Sequence, residues 1–219
     1  MVDELLGIAG LSLYVATAST AIASLLGIPL GAFLALREEA RGRRPSLTIA
    51  KAVVFTMYGM PPVLAGLLVY LLISKEGPLG ALGLLFTPGG MILAQVLIVT
   101  PIVTGVTYSA VSSVGRDVKD AARSLGAKGW PLTVMVVEEA RLGVLTAVMV
   151  GFGRAISEVG AVLIVGGNIR GSTRTLTTSI VLETGRGNFA EAVGLGALLL
   201  VIAFGIFLVL RRMQERGYR

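Results

Sequence analysis

Apolar residues fall into five long runs separated by short polar links, at about 8–36, 52–73, 90–113, 132–165 and 189–210. A helix needs roughly 20 mainly apolar residues to cross the hydrocarbon core of a bilayer, and each run is that long. The pattern predicts an all-α polytopic membrane protein with five transmembrane helices, forming a single transmembrane domain over residues 1–219. The fourth run differs from the rest, because Glu138, Glu139 and Arg141 fall near its start and Arg154 and Glu158 near its middle. Its entry is expected at the membrane surface and its centre inside a bundle.

Between the third and fourth runs lies a short charged segment, 115–126. As a helix from Gly115 it places Val118, Ala121, Ala122 and Leu125 on one face and Arg116, Lys119, Asp120 and Arg123 largely on the other. It is too short to span, so it is expected along the membrane surface or projecting from it. Gly126 reads as its stop, and Gly129 with Pro131 as a turn before the next helix. A helix bound to lipid favours bulky Phe, Trp and Leu on its apolar face, whereas Ala121 and Ala122 permit close approach by a protein. The segment reads as a docking helix.

Several runs carry helix breakers. MYGMPPVLAG (57–66) puts two prolines in the second run, Thr100 and Pro101 are expected to break the third, and Gly27, Pro29 and Gly31 mark the first. Proline inside a membrane helix frees backbone groups that neighbours or a wet cavity must satisfy. Two readings follow: a kink or a close small-xxx-small crossing at Gly27 and Gly31, or a pathway lined by broken helices, with Pro61 and Thr100 as candidates.

Composition removes most enzymatic chemistry. The 219 residues are 54% hydrophobic with a mean hydropathy of +0.84, and contain no cysteine and no histidine. Disulfides, thiolate zinc sites, Cys or His nucleophiles and imidazole bases are excluded, and no catalytic, metal or cofactor site is expected. The net charge of +6 does not indicate nucleic acid, which requires basic residues gathered on a solvent-facing patch. Here they punctuate the apolar runs. Arg37, Arg41, Arg43, Arg44 and Lys51 follow the first run, Arg116, Lys119, Arg123 and Lys128 the third, and Arg211, Arg212, Arg216 and Arg219 the last. The other side has Lys75, Arg170, Arg174 and Arg186. Basic loops stay in the cytoplasm and attract anionic lipid, so the N-terminus is expected outside and the C-terminus inside, as an odd number of spans requires. The opening MVDELLG is acidic where a signal peptide is basic, and the run behind it is long, so it reads as a retained first membrane span.

Two clusters carry candidate chemistry. Arg154 and Glu158 stand one helical turn apart and are able to face each other; unpaired charge at mid-membrane costs about 2.5–3.5 kcal/mol. They form either a mutually satisfied packing pair or a gate that breaks and re-forms between states. The loop 168–188 combines Arg170, Arg174 and Arg186 with Ser172, Thr173, Thr175, Thr177 and Thr178, a set suited to an oxyanion or to carboxylates on a protein partner. A short re-entrant helix is expected over 176–182. GGNIRGST (166–173) has phosphate-loop glycines but Ser172 in the lysine's place, so any ATP is used by another subunit.

DAARSLGA (120–127) resembles the EAA loop of ABC-transporter permeases, whose Glu-Ala-Ala, three residues and Gly form the coupling helix that fits a groove on the ATP-binding subunit. Asp120, Ala121, Ala122 and Gly126 fall on that spacing, and the resemblance implies contacts there and at Ser124 and Leu125. The motif's usual Ile-x-Leu-Pro ending is replaced by Val136, Val137, Glu138 and Glu139. The stretch 151–192, with ISEVGAV and GGNIRG followed by TRTLTT, is similar to oxyanion importer permeases of the molybdate and tungstate group, closest to tungstate permeases. The resemblance is strong from about residue 114 to the C-terminus. It implies a type I ABC importer permease fold, a homodimer of this chain, two cytoplasmic ATP-binding subunits, and an extracytoplasmic oxyanion-binding protein docking near Asn168, Arg170 and Arg174. Molybdate or sulfate as cargo, and an ion-coupled secondary transporter, are the alternatives; the latter often shows paired repeats, which five spans do not provide.

Overall fold

The computed structural model describes residues 2–41 and 45–216. Arg43, Arg44 and Arg219, and the side chains of Arg41 and Arg216, all counted above for orientation, lie outside the described residues. The described residues fold into ten α-helices without a strand: α1 Val2–Arg41, α2 Pro45–Tyr58, α3 Pro62–Ile73, α4 Pro88–Ser112, α5 Arg116–Ser124, α6 Trp130–Glu139, α7 Arg141–Ile156, α8 Gly160–Gly166, α9 Leu176–Gly185 and α10 Phe189–Arg216. Helices α1, α4 and α10 are each long and apolar enough to cross a membrane. Two bent pairs, α2 with α3 at 104° and α7 with α8 at 57°, bring the number to five if each pair is one span.

The prolines act unequally. Pro61 and Pro62 end α2 and start α3: each lacks an N–H donor, and Pro61 pushes the residue before it out of helical geometry, while Pro62 sits in the first turn of α3 where no donor is needed. Pro29 and Pro101, expected to interrupt their runs, instead lie inside unbroken α1 and α4. These two helices are clamped together across the proline positions. A Cβ on Gly31 would stand 2.3 Å from the Thr104 carbonyl oxygen, and one on Gly27 3.0 Å from Val103 Cβ. Lipid gives no hydrophobic drive for helices to associate, so such close backbone approach supplies the packing. Ala16, Ala23, Val99, Val103 and Ala147 fill the seam, whereas Leu25, Leu26 and Phe33 on α1 point outward. The small-residue crossing anticipated at Gly27 and Gly31 is present, and the break expected at Thr100 and Pro101 is not.

The fourth apolar run is three helices rather than one. α6 ends at Glu139, Ala140 turns with φ −79° and ψ 6°, and α7 begins at Arg141. Val136 and Ala140 pack on Ala32 and Ala35 of α1 and Val111 of α4, and Gln214 Nε2 of α10 donates to the Leu142 carbonyl at 3.3 Å. One end of the molecule therefore gathers α5, α6, the start of α7 and the C-terminal ends of α1, α4 and α10. There, Lys51 of α2 lies 2.6 Å from Glu38 of α1, and the Tyr108 hydroxyl of α4 donates to the same carboxylate. At the opposite end Arg170 clasps Glu4 at 2.6 and 2.7 Å, and the Leu176 N–H donates to Ser12 Oγ at 2.8 Å. Arg37 and Lys51 of the first link thus share one end with the basic residues of the third.

Candidate functional site

α5 occupies the gathered end as a short, closed unit. Its last turn is shut by Ala127 N–H donating to the Ala122 carbonyl at 3.1 Å and Gly126 N–H to that of Arg123 at 3.0 Å, paired bonds that require a left-handed residue between helix and exit. Gly126 is that residue, at φ +89°. A Cβ there meets open space, so Gly126→Ala is expected to cost about 1 kcal/mol from backbone strain alone. Hydrogen exchange should detect this as about fivefold faster exchange at the Ala127 amide. On the exit side, Gly129 at φ +59° leads into α6 with Pro131 in its first turn.

The faces of α5 do not follow the expected division. Ala122 and Lys119 are buried, at 4% and 2% exposure, while Leu125 is 83% and Val118 42% exposed. Ala121, Asp120, Ser124 and Gly126 are also open to the surroundings. Lys119, assigned to the polar outer face, belongs inside, and Ala122, assigned to the contact face, is buried against its own chain at the floor of the groove described next. The apolar positions that remain outside, Val118, Ala121 and Leu125, line a groove of about 690 Å³ with Met135 of α6 and the rim charges Glu138, Glu139 and Arg141. Asp120 pairs with Arg123 at 2.7 Å, and Ser124 Oγ donates back to the Asp120 carbonyl at 2.9 Å.

The second cluster lies at the bend between α7 and α8. Arg154 Nη1 is 2.5 Å from Glu158 Oε2, and the Glu158 side chain is only 2% exposed against 30% for Arg154. The other carboxylate oxygen accepts the Ala161 N–H at 3.0 Å. Glu158 therefore satisfies an N–H that α8 leaves unbonded in its first turn, and holds a guanidinium at the same time. Just before the bend, Gln95 of α4 donates to the Ala155 carbonyl at 3.0 Å and accepts from Ser19 Oγ of α1 at 2.6 Å. Gln95 was not anticipated; a lone amide within the third apolar run was the signal available.

The two broken spans meet. A Cβ on Gly160, the first residue of α8, would lie 3.1 Å from Val63 Cγ2 and 3.4 Å from Pro62 Cβ, and one on Gly66 of α3 2.7 Å from Ala161 Cα. Exposed Pro61 thus stands at a junction of two helix breaks. Thr100 is half-buried on α4, with its hydroxyl donated to the Val96 carbonyl at 2.7 Å.

In the loop after α8, Asn168 adopts φ +52°. Arg174 Nε donates to Asn168 Oδ1 at 3.3 Å, and Arg186 pairs with Glu183 at 2.9 Å. Arg174, Glu183 and Arg186 border, with Glu4 and Arg170, a cavity of about 690 Å³. A helix is present where one was expected over 176–182, as α9, slightly longer at its C-terminal end, and Thr175 caps it in a capping box with Thr178. The hydroxyls of Thr173, Thr175, Thr177 and Thr178, expected to suit an oxyanion, are buried and bonded within the protein. No group of three or more Asp or Glu able to hold a metal ion occurs among the described residues.

The sequence matches the profile of a family described as binding-protein-dependent transport system inner membrane component, over residues 27–216. It is 42% identical over 217 residues to a probable anion ABC transporter permease protein of Haloferax volcanii, covering 97% of this chain and 91% of that protein. It is 39% identical over 205 residues to a tungstate uptake system permease protein of Peptoclostridium acidaminophilum, covering 94% of this chain and 88% of that one. In fold it is similar to an inward-facing structure of the MetNI methionine ABC transporter, with a TM-score of 0.81, 16% identity, and coverage of 100% of this chain and 98% of that one. The likeness reaches well before residue 114, into a first half whose apolar helices carry few motif residues of their own.

Proposed function

We propose that this chain, which belongs to the family of binding-protein-dependent transport system inner membrane components, is the membrane-spanning permease subunit of an ATP-driven oxyanion importer with tungstate as its cargo. It is a multi-pass membrane protein. Residues 1–219 act as one transmembrane domain, and two copies form the pathway between them. The end that carries α5 faces the cytoplasm, with the N-terminus outside, as its concentration of basic residues favours. There α5 fits a groove on each of two ATP-binding subunits through Leu125, Ala121 and the closing turn at Gly126, with Asp120 and Ser124 at the edge of the contact. Ala122 contributes from inside by seating the helix.

The observation that carries this reading is a rigidly capped surface helix whose apolar residues Val118, Ala121 and Leu125 are left uncovered. Such a helix transmits movement if its partner grips it, because it is joined to α4 and α6 by short links. At the opposite end Asn168, Arg170 and Arg174 are proposed to meet the oxyanion-binding protein. Their cationic groups already have partners in Glu4 and Asn168, and a rim of both signs complements a protein surface better than a dianion. Arg154, Glu158, Pro61 and Thr100 are proposed to border the pathway at and near the junction of the broken spans.

The test is uptake by vesicles holding the purified permease, its ATP-binding subunit and its binding protein. ATP-dependent uptake is expected, with tungstate preferred over molybdate and sulfate. Preference for molybdate or sulfate would overturn the choice of cargo. Uptake by the permease alone, driven by an ion gradient, would overturn the whole reading in favour of a secondary transporter.

A further inference from the structure

Hydrogen bonds, buried at the threonines and part-buried at the two ends, run without a gap from the loop after α8 to the bend between α7 and α8. Asn168 Oδ1 accepts from Arg174 Nε at 3.3 Å on one side and from Thr178 Oγ1 at 2.9 Å on the other. Thr178 Oγ1 in turn accepts the Thr175 N–H at 3.0 Å. Thr175 Oγ1 lies 3.0 Å from Thr177 Oγ1, and Thr177 Oγ1 donates to the Glu158 carbonyl at 2.9 Å. Glu158 then holds Arg154.

Proton bookkeeping orients the chain. A hydroxyl donates once. Thr178 gives its proton to Asn168 at 2.9 Å in preference to the Thr175 carbonyl at 3.2 Å, and Thr177 gives its own to Glu158, so Thr175 is the donor in its contacts with Thr177 at 3.0 Å and Thr178 at 3.2 Å. The protons of these three hydroxyls are thereby used, and none is left to bind a passing anion. The three threonines are 4%, 6% and 1% exposed in chain order. Breaking one link strands a donor or acceptor away from water, so the links shift together more readily than they part.

Resting on the permease reading above, we infer that Thr177 is a positioning residue that couples the binding-protein-facing loop to the Arg154–Glu158 bend. The two-state element is the bend itself. Val159 lies off helical geometry at φ −121° and ψ −56°, and the Thr177 bond holds the peptide of Glu158 at that point. Displacement of Asn168 by a docked partner pulls on the start of α9 and, through Thr177, on the bend.

The experiment uses the assembled complex in lipid nanodiscs, with ATPase rate read in the presence and absence of tungstate-loaded binding protein. Thr177→Val keeps the branched shape and deletes the hydroxyl. Its basal ATPase rate is expected to stay at the wild-type level, while stimulation by the loaded binding protein falls about fivefold or more, in the range of allosteric coupling energies. Thr177→Ser is expected to restore stimulation, and Thr178→Val, which cuts the neighbouring link, to reproduce the loss. Thr184→Val, which removes an exposed hydroxyl bonded only within α9, serves as the control and should behave as wild type. Full stimulation in either Thr177→Val or Thr178→Val overturns the inference while leaving the permease reading intact. Loss in basal rate and stimulation by the same factor, unrescued by serine, also overturns it, because that is the mark of a merely structural residue. A wild-type complex indifferent to any binding protein overturns the permease reading itself.

Discussion

Leu125→Asp is expected to abolish ATP-driven uptake while the permease accumulates and inserts as before. Leu125 is 83% exposed, so its replacement removes almost no contact inside the chain, and a surface change of this kind shifts stability by about 0.5 kcal/mol or less. The effect is expected in the complex, where a carboxylate replaces the apolar contact proposed for Leu125. Truncation of a central apolar anchor costs about 2–4 kcal/mol of association, and a desolvated, unpaired charge adds to that. A loss of about 3 kcal/mol is more than a hundredfold in affinity. Titrating ATP-binding subunit onto detergent-solubilised permease measures it, and wild-type affinity in the variant would remove α5 from the contact. Ala122→Leu makes the contrast. With 4% exposure, Ala122 faces its own chain, so enlargement there lowers the permease's melting temperature before it reaches any partner.

That contrast marks how far the sequence was legible. The ends of α5 were readable because capping depends on local chemistry: a left-handed exit favours glycine, and Gly126 supplies it. Which side of α5 turns inward was not readable, because periodicity defines faces and does not say what covers them. With nine residues in the helix, the cover is decided by where α6 returns, and it falls on Lys119 and Ala122. The prolines show the same limit. Pro61 and Pro62 break a span together because two successive donors are missing. Pro29 and Pro101 each remove one donor from helices already locked at Gly31 and Thr104, and both helices run through. The bend at Glu158 has no proline at all. It is held by side-chain bonds from Gln95 and Thr177, which reach residues 60 and 19 positions away in the sequence, and by the Glu158 carboxylate, which accepts from Ala161. The threonines of 173–178 looked like ligands in one dimension and are ties between elements in three.

The second large effect is expected at that bend. Glu158→Leu removes the acceptor of both Arg154 and the Ala161 N–H, leaving a guanidinium and a backbone donor unmatched within the spanning bundle. Breaking a buried ion pair from one side costs about 3–5 kcal/mol, a large share of the stability of a domain, so the variant should fail to accumulate in the membrane. Arg154→Leu combined with Glu158→Leu separates folding from transport. Replacing both charges by apolar side chains of similar volume is about neutral for the pair itself, and accumulation should recover most of the way, short of the cost of the still unmatched Ala161 N–H. Uptake should not return, because α8 still lacks the carboxylate on its first turn and the bend still lacks the side chain that sets it. Immunoblotting of membranes reports the first quantity and vesicle uptake of tungstate the second. Recovery of both together would mean that the pair only fills space, and the pathway would then have to be sought along α3 and α4 instead.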